Sequence, residues 1–435
     1  MKYKSSIHLD EAQKKGFDAS YSGEYSAVLR RAMSDSLYTI PESALRLPFD
    51  KGLFEVSRAL ATKLGGPKLN YVVVVGIGGS NLGTKAVYEA LFGPLDGFSP
   101  FAPKMLFAET CSPEYISDLA EILLNEITAK EEIILVVTSK SGTTTETMVN
   151  ASVLVSTLEQ KLGSLAERIV CITDESSPLW QVAKNEGFHL LSIPKMVDGR
   201  FSVFSPVGIF PLLAVGLDAE KLFKGAQDVV DDYVSNGEHS RAYLAARDIF
   251  YLQKNGTTIF DFFLFHPELE SLGKWCRQLF AESLGKAVTR DGHKTTHRIV
   301  PTVSIGSTDL HSMEQMFLAD PTLALRTLVR VNTLHWDHKI LAPEHVFASL
   351  VPGVSGRAPC QVMDAIYEGV KEAYKKRGVA FTEILLPDLS LETLGAFLQF
   401  EMCVVMELAN MLSINAFDQP NVEEYKQATR RILNN

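Results

Sequence analysis

The sequence predicts an α/β protein of two parallel-sheet subdomains with helices on both faces, opened by an N-terminal helical wrap and closed by a C-terminal helical tail. Three observations carry this. At 435 residues the chain is longer than one hydrophobic core usually serves, so two packed domains are expected. Short β-branched runs alternate with amphipathic stretches, the rhythm of parallel strands joined by crossover helices. That rhythm stops once, for a mostly helical interval, and then resumes.

In chain order, residues 1–65 form the opening segment: from Asp10 to about Leu64 the pattern is helical, with Asp10 as N-cap and no cluster of reactive side chains. The first subdomain, 66–195, holds strand-like runs at Tyr71 to Val75, Lys104 to Ala108, Ile133 to Val137, Arg168 to Thr173 and Leu190 to Ile193. Residues 196–255 are a helical connector. The second subdomain, 256–412, has strand-like runs at Thr257 to Phe263, Arg298 to Val303, Leu325 to Val331 and Ala380 to Leu385, then a long helix near Leu391 to Leu412. Residues 413–435 are a tail with its own turn and short helix. No low-complexity stretch or long flexible linker separates the halves, so they should pack rather than swing on a tether.

Composition narrows the function. The 46% hydrophobic content supplies two cores, and a net charge of -10 with scattered Lys and Arg leaves no basic stripe for nucleic acid. An anionic substrate must then be held locally, by backbone N–H groups and a few chosen side chains. The five cysteines, Cys111, Cys171, Cys276, Cys360 and Cys403, are widely spaced without a CxxC pair, which reads as reduced core thiols in a reducing compartment. Met1 to Asp10 has no apolar h-region, so a secretory signal is not expected. The apolar run Phe201 to Leu217 is too short to span a bilayer and is broken by Pro206, Gly208 and Pro211. A cytoplasmic protein without a membrane or nucleic-acid partner is the expectation.

Two loops look built for phosphate. The first strand runs into Gly76-Ile77-Gly78-Gly79-Ser80-Asn81-Leu82-Gly83 ahead of a helix, where glycines let backbone N–H groups approach an anion. Asn81 stands where a dinucleotide fingerprint has its third glycine, and Gly83-Thr84-Lys85 does not make a P-loop. Glu109, ending the second strand, could mimic a ribose-binding acid and keeps a dehydrogenase reading open. The second loop, Thr138-Ser139-Lys140-Ser141-Gly142-Thr143-Thr144-Thr145-Glu146-Thr147, lies where open α/β sheets bind ligands. Thr143 and Glu146 read as a capping box, while Ser139, Ser141 and Thr144 are assigned to phosphate.

Proton-moving candidates lie further on. Leu269, Leu272, Cys276, Leu279 and Phe280 mark an apolar helical stripe, and at about 100° per residue Glu282 points to nearly the same buried side as Trp275. Gly285 reads as the stop, so desolvation and the helix dipole both disfavour the charge of Glu282, which suits a general base. His311 follows Ser307-Thr308-Asp309, any of which could cap a helix, and falls in its first turn, where the ring stays able to accept a proton. A structural histidine is the competing reading. Arg200 could clamp an anionic intermediate from a buried position; Lys426 alone reads as a solvated helix face. No metal-ligand spacing occurs, so neither metal nor cofactor is expected.

Taken together, Gly76 to Ser80, Ser139 to Thr147, Asp198-Gly199-Arg200-Phe201-Ser202, Glu282-Ser283-Leu284-Gly285-Lys286 and Phe417-Asp418-Gln419-Pro420 leading to Lys426 resemble the glucose-6-phosphate isomerase family, and Ser307 to Ser312 resembles the histidine segment of its shorter bacterial members. The resemblance implies two sugar-isomerase (SIS) subdomains, a homodimer with a shared active site, and reversible conversion of glucose 6-phosphate and fructose 6-phosphate without a cofactor. It implies that Glu282 shuttles a proton between C1 and C2, that Arg200 stabilises the enediolate, and that His311, from the neighbouring subunit, opens the ring together with Lys426. Ser80, Ser139, Ser141 and Thr144 would hold the phosphate, with Gly79, Lys140 and Gln419 close to the substrate and the tail returning to the active site. Asp198 and Asn421 stand where the family usually has glycine, in turns that left-handed Asp and Asn would tolerate. A non-catalytic SIS-domain phosphosugar sensor would need the loops but not Glu282, Arg200, His311 and Lys426 together. An amidotransferase would need a cysteine where Lys2 stands.

Overall fold

The computed structural model describes residues 1–10, 13, 24–100, 102–332, 339 and 346–434. Its strands are β1 (Lys2–Ser5), β2 (Tyr71–Val75), β3 (Lys104–Ala108), β4 (Ile133–Thr138), β5 (Ile169–Thr173), β6 (His189–Ser192), β7 (Ile259–Leu264), β8 (Val300–Ile305), β9 (Ala324–Val331) and β10 (Phe381–Leu386). They form two five-stranded sheets. The first has the order β3-β2-β4-β5-β6 and is parallel throughout. Every residue of β4 and β5 is buried, because helices cover both faces of a parallel sheet and leave it no polar side.

The second sheet runs β1-β10-β9-β7-β8, with all pairings parallel except β1 against β10. That edge strand departs from the helical opening read from sequence. Lys2↔Leu385 and Ser5↔Thr382 place the chain's start beside its last strand, and the exposed lysines of a short edge strand discourage further pairing. Part of the Asp10 to Leu64 helical pattern lies outside the described residues. The Asp10 carboxylate accepts the Gln13 N–H at 2.7 Å while Gln13 Oε1 accepts the Asp10 N–H at 2.8 Å, the reciprocal pair of a helix start. Helix Glu24–Ser34, the 3-10 helix Pro41–Phe49 and helix Lys51–Leu64 follow, broken where prolines remove backbone donors.

The connector supplies helices Pro206–Ala214, Ala219–Asn236 and Arg241–Lys254. Gly225 and Gly395 let Ala219–Asn236 approach helix Leu391–Met411 closely, since a Cβ at either would lie about 2 Å or less from a carbonyl oxygen of the other helix. Leu391–Met411 is the one described helix long and apolar enough to cross a membrane, and it is buried inside the protein. The cysteines are all free: Cys171, Cys276 and Cys403 are buried, but Cys111 is exposed and Cys360 half-buried, so not all are core thiols.

Strand order positions the site. From β2 the chain moves to one neighbour, β3, and then crosses to the other, β4. In register, Val75 lies beside both Ala108 and Val137, so the β2 and β4 carboxyl ends are level. The loops following β2 and β4 therefore flank a topological switch point, where open α/β sheets form ligand crevices.

Candidate active site

The β2 loop tightens into a 3-10 turn, Gly78–Ser80, and enters helix Leu82–Phe92 through Asn81, whose side chain does not cap it. The β4 loop enters helix Thr145–Leu162 through Thr144, also without a side-chain cap. The expected Thr143–Glu146 capping box is therefore absent: the N-cap is one residue later, and the Thr143 N–H and hydroxyl both reach Ser141 Oγ instead, at 3.3 and 3.4 Å. Two neighbouring helix starts thus lack side-chain caps and turn their positive dipole ends toward the carboxyl end of the sheet. Near them Asn81 Nδ2, Thr138 Oγ1 and Thr147 Oγ1 are buried without a hydrogen-bond partner among the described residues.

The loop hydroxyls divide by exposure. Ser139 is 1% exposed; its Oγ lies 2.8 Å from Thr144 Oγ1 and accepts the Gly142 N–H at 3.1 Å. It braces the loop from inside. Ser141 is exposed, while Thr144 and Ser80 are half-buried. A Cβ at Gly76 would lie 3.0 Å from Ser80 Cβ and 3.1 Å from Thr138 O, which ties the first loop to the end of β4. Lys140 Nζ pairs with Asp198 Oδ1 at 3.0 Å and so links the second loop to the Arg200 segment.

Arg200 sits in the 3-10 turn Gly199–Phe201 and is 1% exposed. Its Nε donates to Ser283 Oγ at 2.8 Å, its Nη1 to Glu282 Oε2 at 3.3 Å, and its Nη2 to Asp418 O at 3.4 Å and to Ala416 O. Burial pulls this guanidinium below its ordinary range, opposed by the charges of Asp198 and Glu282. Glu282 lies in the last turn of helix Glu270–Leu284. Its Oε2 also accepts Gln419 Nε2 at 2.8 Å and its Oε1 accepts Gln278 Nε2 at 2.9 Å. Trp275 is buried as the helical wheel requires, but Glu282 is not: its side chain is 30% exposed, although Phe280, Ser283 and Leu284 around it in the last turn are buried.

Sequence reasoning missed Gln278 and gave no role to Ser283, Lys286 and Asp418, although all three lie within the family-like segments. Lys286 Nζ donates to Glu282 O at 2.8 Å, satisfying a helix-end carbonyl, and pairs with Asp418 Oδ1 at 2.9 Å. Burial lowers its pKa, against the hydrogen bond it donates to Asp418. Gln278 and Lys286 stand four residues either side of Glu282, so helical spacing was the available signal.

Other expectations are corrected. Asp198 has extended backbone (φ -79, ψ 155), and Asn421, in the 3-10 turn Pro420–Val422, is not among the positive-φ residues; neither position needs glycine's freedom. Glu109 is paired with Lys85 at 2.8 Å. His311 ends the 3-10 helix Thr308–His311 rather than starting a helix, and it is exposed. Among the described residues no hydrogen bond ties it to Glu282 or Arg200 of its own chain. Lys426 pairs with Glu423 at 2.8 Å on helix Glu423–Leu433, which buries none of its residues. Glu282, Arg200 and Gln419 are thus brought together; among the described residues no hydrogen bond or ion pair joins His311 or Lys426 to them within the chain. Among the described residues no cluster of His, Cys, Asp and Glu could hold a metal ion.

The family model of phosphoglucose isomerase matches residues 57–435. A glucose-6-phosphate isomerase of Acholeplasma laidlawii is 33% identical over 394 residues, covering 89% of this chain and 88% of the relative. One of Lactobacillus helveticus is 32% identical over 398 residues, covering 90% and 85%. Among solved structures, a hypothetical protein of Thermus thermophilus superposes with TM-score 0.82 at 28% identity, covering 98% of this chain and 99% of that one. A glucose-6-phosphate isomerase of Chlamydia trachomatis shares the fold, with TM-score 0.72 at 22% identity over 99% of this chain and 80% of its own.

Proposed function

We infer a mechanism from one premise: the chain belongs to the phosphoglucose isomerase family. The reaction it catalyses is the reversible aldose–ketose isomerisation of glucose 6-phosphate and fructose 6-phosphate. The observation that carries our reading of its residues is the Glu282 carboxylate, held by Gln278 and Gln419 and facing a buried Arg200 at 3.3 Å. In the open-chain aldose, Glu282 takes the proton from C2 while the C1 carbonyl oxygen gains charge, giving an enediolate that Arg200 stabilises. Returning the proton to C1, with the hydroxyl proton of O2 transferred to O1, gives the ketose. No redox partner is needed, because C1 and C2 exchange oxidation level within one molecule.

Ser80, Ser141 and Thr144 would ligate the phosphate with the amides of both helix starts, Ser139 and Gly79 shaping the loops and Lys140 flanking them. Residues 66–195 would hold the phosphate, 256–412 would supply Glu282 and His311, and the tail 413–435 would close over the site with Gln419. The exposure of His311 is what a residue lent to another subunit needs, and we propose a homodimer in which His311 opens the ring in its partner's site, with Lys426 assisting. A cytoplasmic setting fits free cysteines and phosphorylated sugars.

The test is conversion of fructose 6-phosphate in deuterated water, followed by NMR. We expect glucose 6-phosphate with partial deuterium at C2, since a proton held on a carboxylate exchanges in part with solvent. Complete absence of solvent label would mean hydride transfer and overturn the role of Glu282.

A further inference from the structure

The segment carrying His311 is short and exposed, yet both of its ends are fastened into the second sheet. On the near side, Asp309 Oδ2 accepts the N–H of Ile305, the last residue of β8, at 2.7 Å, and its Oδ1 accepts Ser312 Oγ at 2.7 Å. On the far side, Glu314 opens helix Glu314–Ala319 and turns inward. Its Oε2 accepts Arg326 Nη2 at 3.3 Å and the Tyr374 hydroxyl at 3.1 Å.

Arg326, on β9, has a fully buried side chain and pairs through Nη1 with Asp261 Oδ2 on β7 at 3.2 Å. Asp261 Oδ1 in turn accepts the hydroxyls of Thr302 and Ser304, both on β8, at 2.6 and 3.0 Å. The Phe317 ring, on the helix that follows His311, lies 3.9 Å from the guanidinium carbon of Arg326. Three strands and the helix after His311 thus converge on one arginine.

Stability is a weak reason for such a cluster. Buried ion pairs are often no better than apolar residues of the same volume, and here Asp261 Oδ2, Glu314 Oε1 and Arg326 Nη1 each lack a well-formed hydrogen bond. Burial raises the pKa of Glu314, opposed by Arg326. What the cluster does supply is register: a charged residue three positions beyond His311 can dock in only one place.

We propose that Asp309 and the Asp261–Arg326–Glu314 network are positioning elements for His311, fixing the place from which its ring reaches the substrate. The inference rests on the reading of His311 as the ring-opening residue. Ring opening and reclosure interconvert the anomers of glucose 6-phosphate, whereas an acyclic five-carbon aldonate 5-phosphate, a mimic of the enediolate, needs no ring opening to bind.

The experiment compares Asp309→Ala, Glu314→Ala, Glu314→Gln and His311→Ala with the parent by anomer exchange in NMR and by affinity for that acyclic acid. A displacement near 1 Å costs on the order of a hundredfold. Asp309→Ala and Glu314→Ala should therefore slow anomer exchange by about tenfold to a hundredfold, with affinity for the acyclic acid within about twofold of the parent. Glu314→Gln, which keeps an oxygen for Arg326 and Tyr374, should recover most of the loss. Asp309 lies outside the buried network, so its variant still tests the inference where a Glu314 variant fails to fold. Anomer exchange at the parent rate in both alanine variants, or loss of acyclic-acid affinity in parallel with it, would overturn positioning. Parent-like exchange in His311→Ala would instead remove the ring-opening role beneath it.

Discussion

Gly79→Ala should cripple turnover although residue 79 carries no reactive group. A Cβ there would lie 2.2 Å from Gly199 C and 2.6 Å from both Gly199 Cα and Arg200 N. Ordinary contact begins near 3.4 Å, so the two backbones must part by about 1.2 Å, the difference of those distances, with no flexible side chain to yield. The loop that moves is the one that aims Arg200 at Glu282. A 1 Å misplacement costs on the order of a hundredfold in rate, and overpacking costs about 1–3 kcal/mol in stability. Expected results are a kcat about a hundredfold lower by coupled assay and a thermal midpoint lower by a few degrees. Gly97→Ala, where a Cβ meets nothing within 4 Å, is the control. A Gly79→Ala enzyme with parental kcat and melting would refute the close-approach account of Arg200.

Glu282→Gln should lower kcat by about a hundredfold or more with little change in affinity, whereas Ser141→Ala should mainly raise KM; steady-state kinetics separate the two, and normal turnover in the first removes Glu282 from proton transfer. Glu282→Gln and His311→Ala chains unfolded together and refolded as an equal mixture should recover roughly a quarter of parental activity, because half the dimers are mixed and each has one intact site; activity no higher than the parents' average would rule out sharing. Glu401 is buried among Tyr3, Thr327, Thr382 and apolar side chains, and burial pushes its carboxyl from 4.5 up to about 8. The folded chain therefore keeps a proton the unfolded chain releases, so stability should fall as pH rises from 4.5 to about 8 and then level off. Urea midpoints of Glu401→Gln should show a shallower pH slope, and an unchanged slope would refute this.

The fold was legible where burial is two-sided. The runs read at Tyr71 to Val75 and Lys104 to Ala108 are β2 and β3 residue for residue, since Lys104, at the start of β3, is the only charged position in either. Lys2 to Ser5 was illegible for the opposite reason: alternating lysines carry no apolar signal, and the pairing partner lies at the far end of the chain. At the site, helical periodicity found the helix of Glu282 but could not see that Glu282 itself stays part-exposed while Phe280, Ser283 and Leu284 beside it are buried. Capping logic sent Ser307, Thr308 and Asp309 forward into a helix, whereas Asp309 bonds backward to Ile305. That Arg200, Glu282 and Gln419 meet is a fact of tertiary structure, and only the family resemblance anticipated it.

A chain of net charge -10 that binds a phosphorylated sugar must hide its cations from their own carboxylates at the right moment. Each cation found around the site is already paired: Lys140 with Asp198, Lys286 with Asp418, Arg200 with Glu282. In the proposed site phosphate is then left to neutral donors, the loop hydroxyls and two uncapped helix starts, which favour a dianion without a net positive surface. Arg200 stands apart because its partner, Glu282, is the proposed base. On the proposed mechanism, Glu282 loses its charge when it takes the C2 proton, and the guanidinium is released from that pairing in the same step in which charge appears on the substrate oxygen. The attraction therefore grows along the reaction coordinate instead of being spent on the bound sugar, which is the condition for an interaction to raise kcat. Because Arg200 is buried and held by Ser283 Oγ and by the carbonyls of Ala416 and Asp418, it need not move to follow the charge, and reorganisation costs little.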